Sequence, residues 1–165
     1  MIEYKKVENS EFSCLATLAK RLWHCAFDNL IGREQADYMI KKFQSVPAFI
    51  RQTEKEHYTY YFVFYGGERV GYTAIANRPD EDRVFLSKLY LAPKVQGKGI
   101  AVKTLEFIKE KAKEFGKRAV YLTVNKKNAR AIAVYEKFGF KKIDAVVTDI
   151  GNGFVMDDYI YELTV

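Results

Sequence analysis

The sequence has few of the residues and runs that mark disulfide-bonded or membrane proteins. It holds two cysteines, three prolines and one tryptophan among 165 residues. No stretch approaches the roughly 20 apolar residues of a membrane-spanning helix. The first residues also lack the apolar run of a signal peptide. We therefore expect a cytoplasmic protein with no membrane segment.

The two cysteines, Cys14 and Cys25, fall in one predicted helix, without CxxC spacing or a histidine cluster. This arrangement favours two small apolar side chains in a reducing compartment over a disulfide or a catalytic nucleophile. His24 and His57 are isolated and are more typical of surface or core histidines than of catalytic bases. No metal site is expected.

The composition is that of a folded chain. A hydrophobic content of 48%, with 15% aromatic residues, argues against disorder. A length of 165 residues suits one domain that buries a substantial core without disulfides. Because there is no internal repeat, linker or low-complexity stretch, we expect a single domain over residues 1–165.

Charge is distributed unevenly along the chain. Residues 88–142 hold fifteen Lys or Arg and four acids, a net charge of +11, whereas the whole chain carries +6 and the remainder therefore −5. One interpretation is an anionic cofactor beside a cationic substrate. The other is that most of the lysines form solvated helix faces. Nucleic-acid binding is disfavoured, because no RRM, KH or helix-turn-helix signature is present.

Apolar spacing and turn residues divide the first half into a short strand, two amphipathic helices, a short helical piece and three strands. Pro47 is expected to close the second helix, and Gly66-Gly67 to turn one strand into the next. The predicted segments are residues 2–7, 11–27, 36–43, 48–55, 58–65, 70–77 and 84–91.

The second half has a clearer pattern. A helix over 101–115 has an inward stripe that includes Phe115, and Gly116 follows it as a helix end. Residues 119–124 predict a strand, Asn128 the N-cap of a short helix, and 140–148 and 154–164 two closing strands. The fold class is therefore α/β, with a mixed, mostly antiparallel sheet of six to seven strands and about four helices.

Residues 89–101 place a strand, a turn and a glycine-rich helix start in direct succession. Glycines let the backbone approach a ligand, and the helix dipole with the N–H groups of a first helical turn favours an anion such as pyrophosphate. A dinucleotide site would need a third glycine where Val102 stands, and a P-loop would need Gly-Lys-Ser/Thr. Both rivals are weak.

Two motifs in this half resemble those of the GNAT superfamily of acetyl-CoA-dependent N-acetyltransferases. Gln96-x-x-Gly99-x-Ala101 matches the family pattern Q/R-x-x-G-x-G/A, and residues 128–140 match N-x-x-A-x-x-x-Y-x-x-x-G-F. The segment 150–159 resembles, less specifically, a bacterial subset with polyamine-type relatives. A single-domain GNAT-like fold follows from the resemblance.

The resemblance implies acetyl-CoA as co-substrate and assigns roles to particular residues. Tyr135 would be the general acid that protonates the departing thiolate, since a phenol is protonated at neutral pH. Main-chain groups of two β-strand residues would pair with the pantetheine arm, an asparagine would face it, and a loop would hold the pyrophosphate. These cofactor residues are Leu89, Leu91, Asn128, Gln96, Gly97, Lys98, Gly99, Ile100 and Ala101.

Each assignment has a structural alternative. Tyr135 lies on an inward helix stripe and Asn128 suits an N-cap, so packing or capping could explain either. Some family members use a glutamate as base on the strand equivalent to 84–91, but this strand has no acid. Lys88 shares a face with Leu86 there, which predicts partial burial.

The predicted function is transfer of an acetyl group from acetyl-CoA to a primary amine, with a small cationic amine favoured. Asp157 and Asp158 should point to opposite faces of a strand, so one could meet the substrate. The substrate-binding candidates are Asp28, Glu34, Asp157 and Asp158. A protein or peptide N-acetyltransferase and a non-catalytic acyl-CoA sensor are the alternatives, and a homodimer is left open.

Overall fold

The computed structural model describes every residue from 1 to 165. The chain forms seven strands and five α-helices, with two short 3-10 turns. The strands are β1 (Ile2–Lys6), β2 (Tyr58–Tyr65), β3 (Glu68–Ala76), β4 (Arg83–Leu91), β5 (Ala119–Asn125), β6 (Lys141–Gly151) and β7 (Phe154–Thr164). The helices are α1 (Phe12–Ile31), α2 (Arg33–Phe43), α3 (Val46–Lys55), α4 (Ile100–Glu114) and α5 (Ala129–Phe138).

The strands form one sheet in the order β1-β2-β3-β4-β5-β7-β6. β4 and β5 are parallel through residues 83–85. The other described ladders, β1–β2, β2–β3, β5–β7 and β6–β7, are antiparallel. The mixed, mostly antiparallel sheet is confirmed. The helices number five because the short piece expected over 48–55 is a complete helix.

The chain divides into two compact units. The first unit comprises residues 1–76 and 88–101, and the second comprises 77–87 and 102–165. β4 contributes its first half to the second unit and its last four residues to the first. The single domain over residues 1–165 stays a prediction.

The core of the first unit lies between α1, α3 and the strands β2 and β3. Helix α1 buries Leu15, Leu18 and Leu22, which recur every three to four residues along one face. Beneath them, aromatic side chains such as Tyr60 and Phe62 are 1% exposed. The helix runs four residues beyond the predicted end and stops at Gly32, whose φ of +86° breaks the helical path.

Pro47 begins α3, and the prediction that it closes α2 is wrong. Helix α2 ends at Phe43, and Ser45 is extended with φ −117° and ψ 163°. Pro47 then occupies the second position of α3, where its missing N–H has no intrahelical role. The sequence shows that Pro47 marks a helix boundary, but it does not show whether a helix ends or begins there.

In the second unit, β5, β7 and β6 carry the sheet and α5 lies between β5 and β6 in the chain. The β6–β7 hairpin turns at Asn152 and Gly153, with φ of 54° and 80°, as a two-residue turn of that kind requires. Helix α4 ends before Gly116, whose φ is +71°. Phe115 is 39% exposed, so its predicted inward position is wrong.

None of the helices combines the length and the apolar character needed to cross a membrane.

Candidate functional site

The glycine-rich loop connects β4 to α4 with an open backbone surface. Gly97 and Gly99 have φ of +81° and +76°, a region that side chains with a Cβ rarely adopt. A Cβ added to either glycine would meet no protein atom within 4 Å. The glycines therefore leave free space against the main chain, as a ligand that contacts backbone N–H groups requires.

Helix α4 begins directly after this loop, at Ile100, and runs for fifteen residues. The first turn of a helix directs N–H groups outward and carries the positive end of the helix dipole. The first turn of α4 contains no acidic side chain that would occupy these N–H groups. Loop and helix start together fit an anionic group such as a pyrophosphate.

Neighbouring contacts hold the loop on β3. The Ala92 N–H donates to the Val70 carbonyl oxygen at 2.8 Å, and Lys94 pairs with Glu68. A Cβ on Gly71 would lie 2.3 Å from the Tyr90 carbonyl oxygen, so only glycine permits this approach of the two strands. A glycine inside a strand is a signal of close backbone approach that the sequence reasoning did not use.

Lys88 is buried within the first unit, at 4% exposure. Its Nζ donates to the Phe43 carbonyl oxygen, to the Tyr60 hydroxyl and, at 3.2 Å, to Gln52 Oε1. Its ammonium also lies 5.3 Å from the centre of the Phe49 ring. The prediction of partial burial is confirmed, and the burial is nearly complete.

The surroundings of Lys88 disfavour its charge. Burial is the main cause that holds the pKa of Lys88 well below its usual range, and the nearby Arg51 guanidinium adds to it. All three hydrogen-bond acceptors are neutral. The Phe43 carbonyl also belongs to the last residue of α2, so Lys88 caps that helix from β4. These contacts assign Lys88 to the structure of the first unit.

Asn128 lies at the start of α5, and Tyr135 lies on the inner side of the same helix. The Asn128 side chain accepts a hydrogen bond from the Ala131 N–H at 3.2 Å, so the predicted N-cap is present. Tyr135 is half-buried, with its ring edge-on to Phe140 at 5.7 Å. Burial raises the pKa of the Tyr135 hydroxyl to about 12, which keeps the group protonated at neutral pH.

Asp157 and Asp158 face opposite sides of β7, as predicted. The Asp157 side chain is 53% exposed and pairs with Lys126 at 2.8 Å. Asp158 is 4% exposed, and its pKa is raised to about 6, mainly by burial and also by Asp157. The alternation of a strand thus gives two adjacent carboxylates different chemistry.

The acidic candidates of the first helices have partners or are exposed. His24 lies between Asp28, at 2.7 Å from Nδ1, and Asp37, at 3.0 Å from Nε2. Arg33 also approaches Asp28 at 3.7 Å. Glu34 is exposed in the first turn of α2. His24 is therefore a partner of two carboxylates at the junction of α1 and α2.

The family model that matches this chain is that of the acetyltransferase (GNAT) family, over residues 18–140. The match covers both motifs and most of the chain. The protein belongs to the GNAT family.

Curated relatives of this GNAT protein are N-acetyltransferases. An uncharacterized N-acetyltransferase of Escherichia coli is 38% identical over 97 residues, 58% of each chain. The spermine/spermidine N(1)-acetyltransferase of Bacillus subtilis is 33% identical over 86 residues, 48% of this chain and 57% of that one. The chain spans little more than half the length of the curated relatives it matches.

Solved acetyltransferase structures share the fold. The PaiA N-acetyltransferase of Thermoplasma acidophilum, in complex with coenzyme A, has a TM-score of 0.81 at 21% identity and covers 100% of this chain and 99% of its own. An acetyltransferase of Thermus thermophilus has a TM-score of 0.72 at 21% identity, covering 100% of this chain and 97% of its own. At these identities the likeness confirms the GNAT-like fold class.

Several polar residues of this GNAT protein were missed by sequence reasoning. Gln52 donates to the Phe43 carbonyl oxygen at 3.1 Å and accepts from Tyr60, and Gln44 accepts from Tyr72 at 2.9 Å. Both glutamines are 3% exposed. Gln52 stands three residues after Phe49 on the buried face of α3, and this helical spacing was the available signal. Cys14 and Cys25 are both free cysteines, as expected for reduced side chains, and both are exposed.

Proposed function

We propose that this protein transfers an acetyl group from acetyl-CoA to a primary amine. The loop of residues 96–99, with its two positive-φ glycines and the α4 start behind it, is the observation that carries the proposal. It offers free space against the main chain beside a helix start, an arrangement that binds anionic groups such as pyrophosphate. The relatives named as N-acetyltransferases support the same reaction.

Acetyl-CoA, when bound, supplies a thioester carbonyl that an amine can attack. In this proposal the N–H groups of residues 97–101 and the Gln96 side chain hold the pyrophosphate. Main-chain groups of Leu89 and Leu91 bind the pantetheine arm, and Asn128 faces it. The open space at Gly97 and Gly99 supports this assignment, because a Cβ there would occupy the ligand's approach.

Tyr135 is the proposed general acid. Its task is to donate a proton to the sulfur as the carbon–sulfur bond breaks. A hydroxyl whose pKa is about 12 is fully protonated at neutral pH and is available as a donor. The position of Tyr135 within the motif over residues 128–140 supports this role.

The proposed acceptor is a small amine with a second positive charge, as in polyamines. The Bacillus subtilis relative is named for spermine and spermidine, which supports this class. Of the four candidate carboxylates, Asp158 suits it best, because Asp28 is bound to His24 and Asp157 to Lys126. Glu34, exposed in α2, is the weaker candidate. A cytoplasmic location and a homodimer stay predictions.

A thiol-release assay with an acceptor panel tests the proposal. The panel contains polyamines, amino sugars, neutral amines, anionic amines and peptides with free N-termini or lysines. We expect release of CoA with the polyamine class, an apparent KM that rises with salt, and little release with anionic amines. Release of CoA only with peptides would show that the protein is a protein or peptide N-acetyltransferase. Binding of acetyl-CoA without release for any acceptor would favour the sensor.

A further inference from the structure

Strand β6 is the last strand of the sheet, so only one of its two edges is paired, to β7. The other edge presents backbone N–H and C=O groups without a neighbouring strand. With eleven residues at about 3.4 Å each, this free edge is about 37 Å long. Most of its residues are exposed. A long exposed edge is a template for pairing with another chain.

The hairpin of β6 and β7 also exposes apolar side chains. Three of the seven exposed large apolar side chains of the protein lie here, namely Ile143 at 51%, Val147 at 63% and Val155 at 49% exposure. Val147 is paired with Asp157 in the ladder, two positions from the pair of Ala145 with Tyr159, so Ala145 and Val147 share one face. A strand laid along the free edge would cover this apolar surface.

The charges of β6 are separated along the strand. Lys141 and Lys142 begin it, and Asp149 lies near its other end. The ion pairs of the second unit are formed by other residues. A parallel pairing of β6 with an identical strand would bring like charges together, whereas an antiparallel pairing brings each lysine end to an aspartate end. The strand is therefore complementary to a second copy of itself.

One antiparallel register also matches the remaining side chains. Val146 lies on the two-fold axis, opposite Val146 of the second copy, and Ala145 lies opposite Val147 on either side of it. Opposite side chains in a sheet have Cβ atoms about 4.5–5.5 Å apart, so the alanines and valines of the two copies meet. Asp144 lies opposite Thr148, whose hydroxyl can donate to the carboxylate.

The same register brings opposite charges together at both ends. Relative to β7, strand β6 has an extra residue between Lys142 and Asp144, so Lys142 shares a face with Ala145. The contact of the Lys142 ammonium with the Tyr159 ring, 3.9 Å from its centre, agrees with this face, because Tyr159 is paired with Ala145. Counted across this irregularity, Lys142 lies opposite Asp149 of the second copy, and the two-fold axis forms the pair twice.

We propose that β6 is a dimerisation edge, which pairs antiparallel with β6 of a second copy of this chain. The inference goes beyond the proposed function and does not depend on it. In the single chain the Ala145 N–H donates to the Asp144 carboxylate at 2.8 Å. Pairing exchanges this bond for one to the facing strand, and the carboxylate accepts from Thr148 of the second copy instead.

The first arm of the test measures the oligomeric state of the whole chain by analytical ultracentrifugation, from micromolar to sub-millimolar concentrations. We expect a dimer whose dissociation constant rises at least about tenfold in Val147→Glu, because two glutamates then meet beside the two-fold axis. Val155→Glu is the matched control. It places the same charge on the same face, one strand away from the edge, and should change the dissociation constant less than about threefold.

The second arm exchanges the charges at the two ends of β6. Lys142→Asp and Asp149→Lys should each raise the dissociation constant at least about fivefold, because each places like charges opposite one another twice. The double variant Lys142→Asp/Asp149→Lys should restore it to within about twofold of the wild type. The two residues lie at opposite ends of one strand, so only pairing between copies explains the recovery. Thermal unfolding shows whether each variant is folded.

Three results would overturn the inference. A wild type that stays monomeric at all concentrations would leave the edge to a different partner. A dimer whose dissociation constant is unchanged by Val147→Glu and by both single charge changes would use another surface. A dimer weakened by the single charge changes and not recovered in the double variant would exclude the antiparallel self-pairing.

Discussion

Lys88 and Asp158 are two ionisable side chains, each 4% exposed. Burial shifts their pKa values in opposite directions. Each shift favours the neutral form, because a low-dielectric interior penalises a charge of either sign. The pKa of Lys88 falls well below its usual range, and that of Asp158 rises to about 6. Their surroundings nevertheless differ, since Lys88 has three acceptors and Asp158 has no ion-pair partner.

Lys88→Met should leave stability unchanged or raise it. The Phe43 carbonyl still accepts from Gln52, and Gln52 still accepts from Tyr60, so no partner is left without a bond. Lys88→Ala should cost roughly 2–5 kcal/mol, because it leaves a cavity. The pKa of Lys88 is lower in the folded state than in the unfolded state, so the wild type becomes more stable as the pH rises. The gain in stability from Lys88→Met should therefore be larger near pH 5 than near pH 9.

Denaturant titrations of the three proteins at both pH values check this prediction. A loss for Lys88→Met as large as that for Lys88→Ala would contradict it, and would show that the hydrogen bonds of Lys88 outweigh the cost of burying its charge.

Asp158→Asn should be at least as stable as the wild type at pH 7. The folded pKa of about 6 lies above the reference value of 3.8, so folding becomes less favourable as the pH rises through this interval. Asp158→Asn does not lose stability in this way. Its stability relative to the wild type should therefore be equal near pH 4, increase up to about pH 6 and then stay constant. Thermal or denaturant unfolding across this range measures it. An advantage that does not depend on pH would mean that Asp158 is not desolvated.

Tyr135→Phe should reduce turnover on the order of 10²–10⁴-fold if the hydroxyl protonates the thiolate. The ring and its contact with Phe140 are retained, so unfolding and acetyl-CoA affinity should barely change. Steady-state kinetics beside a binding isotherm separate these effects. Full turnover would show that the tyrosine is a packing residue and that water supplies the proton.

Residue-level prediction succeeded where a strand face decides the outcome. The alternation of β4 and β7 correctly predicted the burial of Lys88 and the opposite faces of Asp157 and Asp158. The partners of Lys88 could not be predicted. They come from α2, α3 and β2, and only the tertiary packing of those elements brings Gln52 and Tyr60 to the lysine.

At the scale of elements, the junction of loop and α4 is the feature with the most direct functional consequence. Gly99→Ala should weaken acetyl-CoA binding at least about tenfold, because its Cβ would enter the space proposed for the pyrophosphate. Gly116→Ala is the matched control at the other end of α4. Its φ of +71° is close to the +76° of Gly99, and its Cβ also meets no atom, so the backbone strain is shared.

Isothermal titration of both variants with acetyl-CoA checks this prediction. Equal affinities of the two folded variants for acetyl-CoA would show that the loop is not part of the binding site.

Most elements could be predicted because their apolar spacing is regular. β2 occupies the predicted 58–65, and α4 and the β6–β7 hairpin begin within one or two residues of their predicted starts. Errors arose where two interpretations share one residue. Pro47 could end α2 or begin α3, and Phe115 could extend the stripe of α4 or follow its end. Capping geometry decides both, and it depends on contacts beyond the local sequence.

At the scale of the whole molecule, the order of the strands could not be predicted from the sequence pattern. β7 lies between β5 and β6, so the last strand enters the sheet beside β5 rather than after β6. Periodicity shows that a segment is a strand but does not identify its neighbours. The uneven charge left two interpretations open, and the cationic segment over 88–142 contains the glycine-rich loop.

The central claim is that the protein moves an acetyl group from acetyl-CoA to an amine. The most direct measurement incubates the wild type with acetyl-CoA and a polyamine, and quantifies the acetylated amine by mass spectrometry alongside free thiol. We predict one amide-linked acetyl group for each thiol released, with the rate abolished on heating the enzyme beforehand. Thiol release without an acetylated amine, or tight acetyl-CoA binding with no transfer to any amine, would contradict the claim.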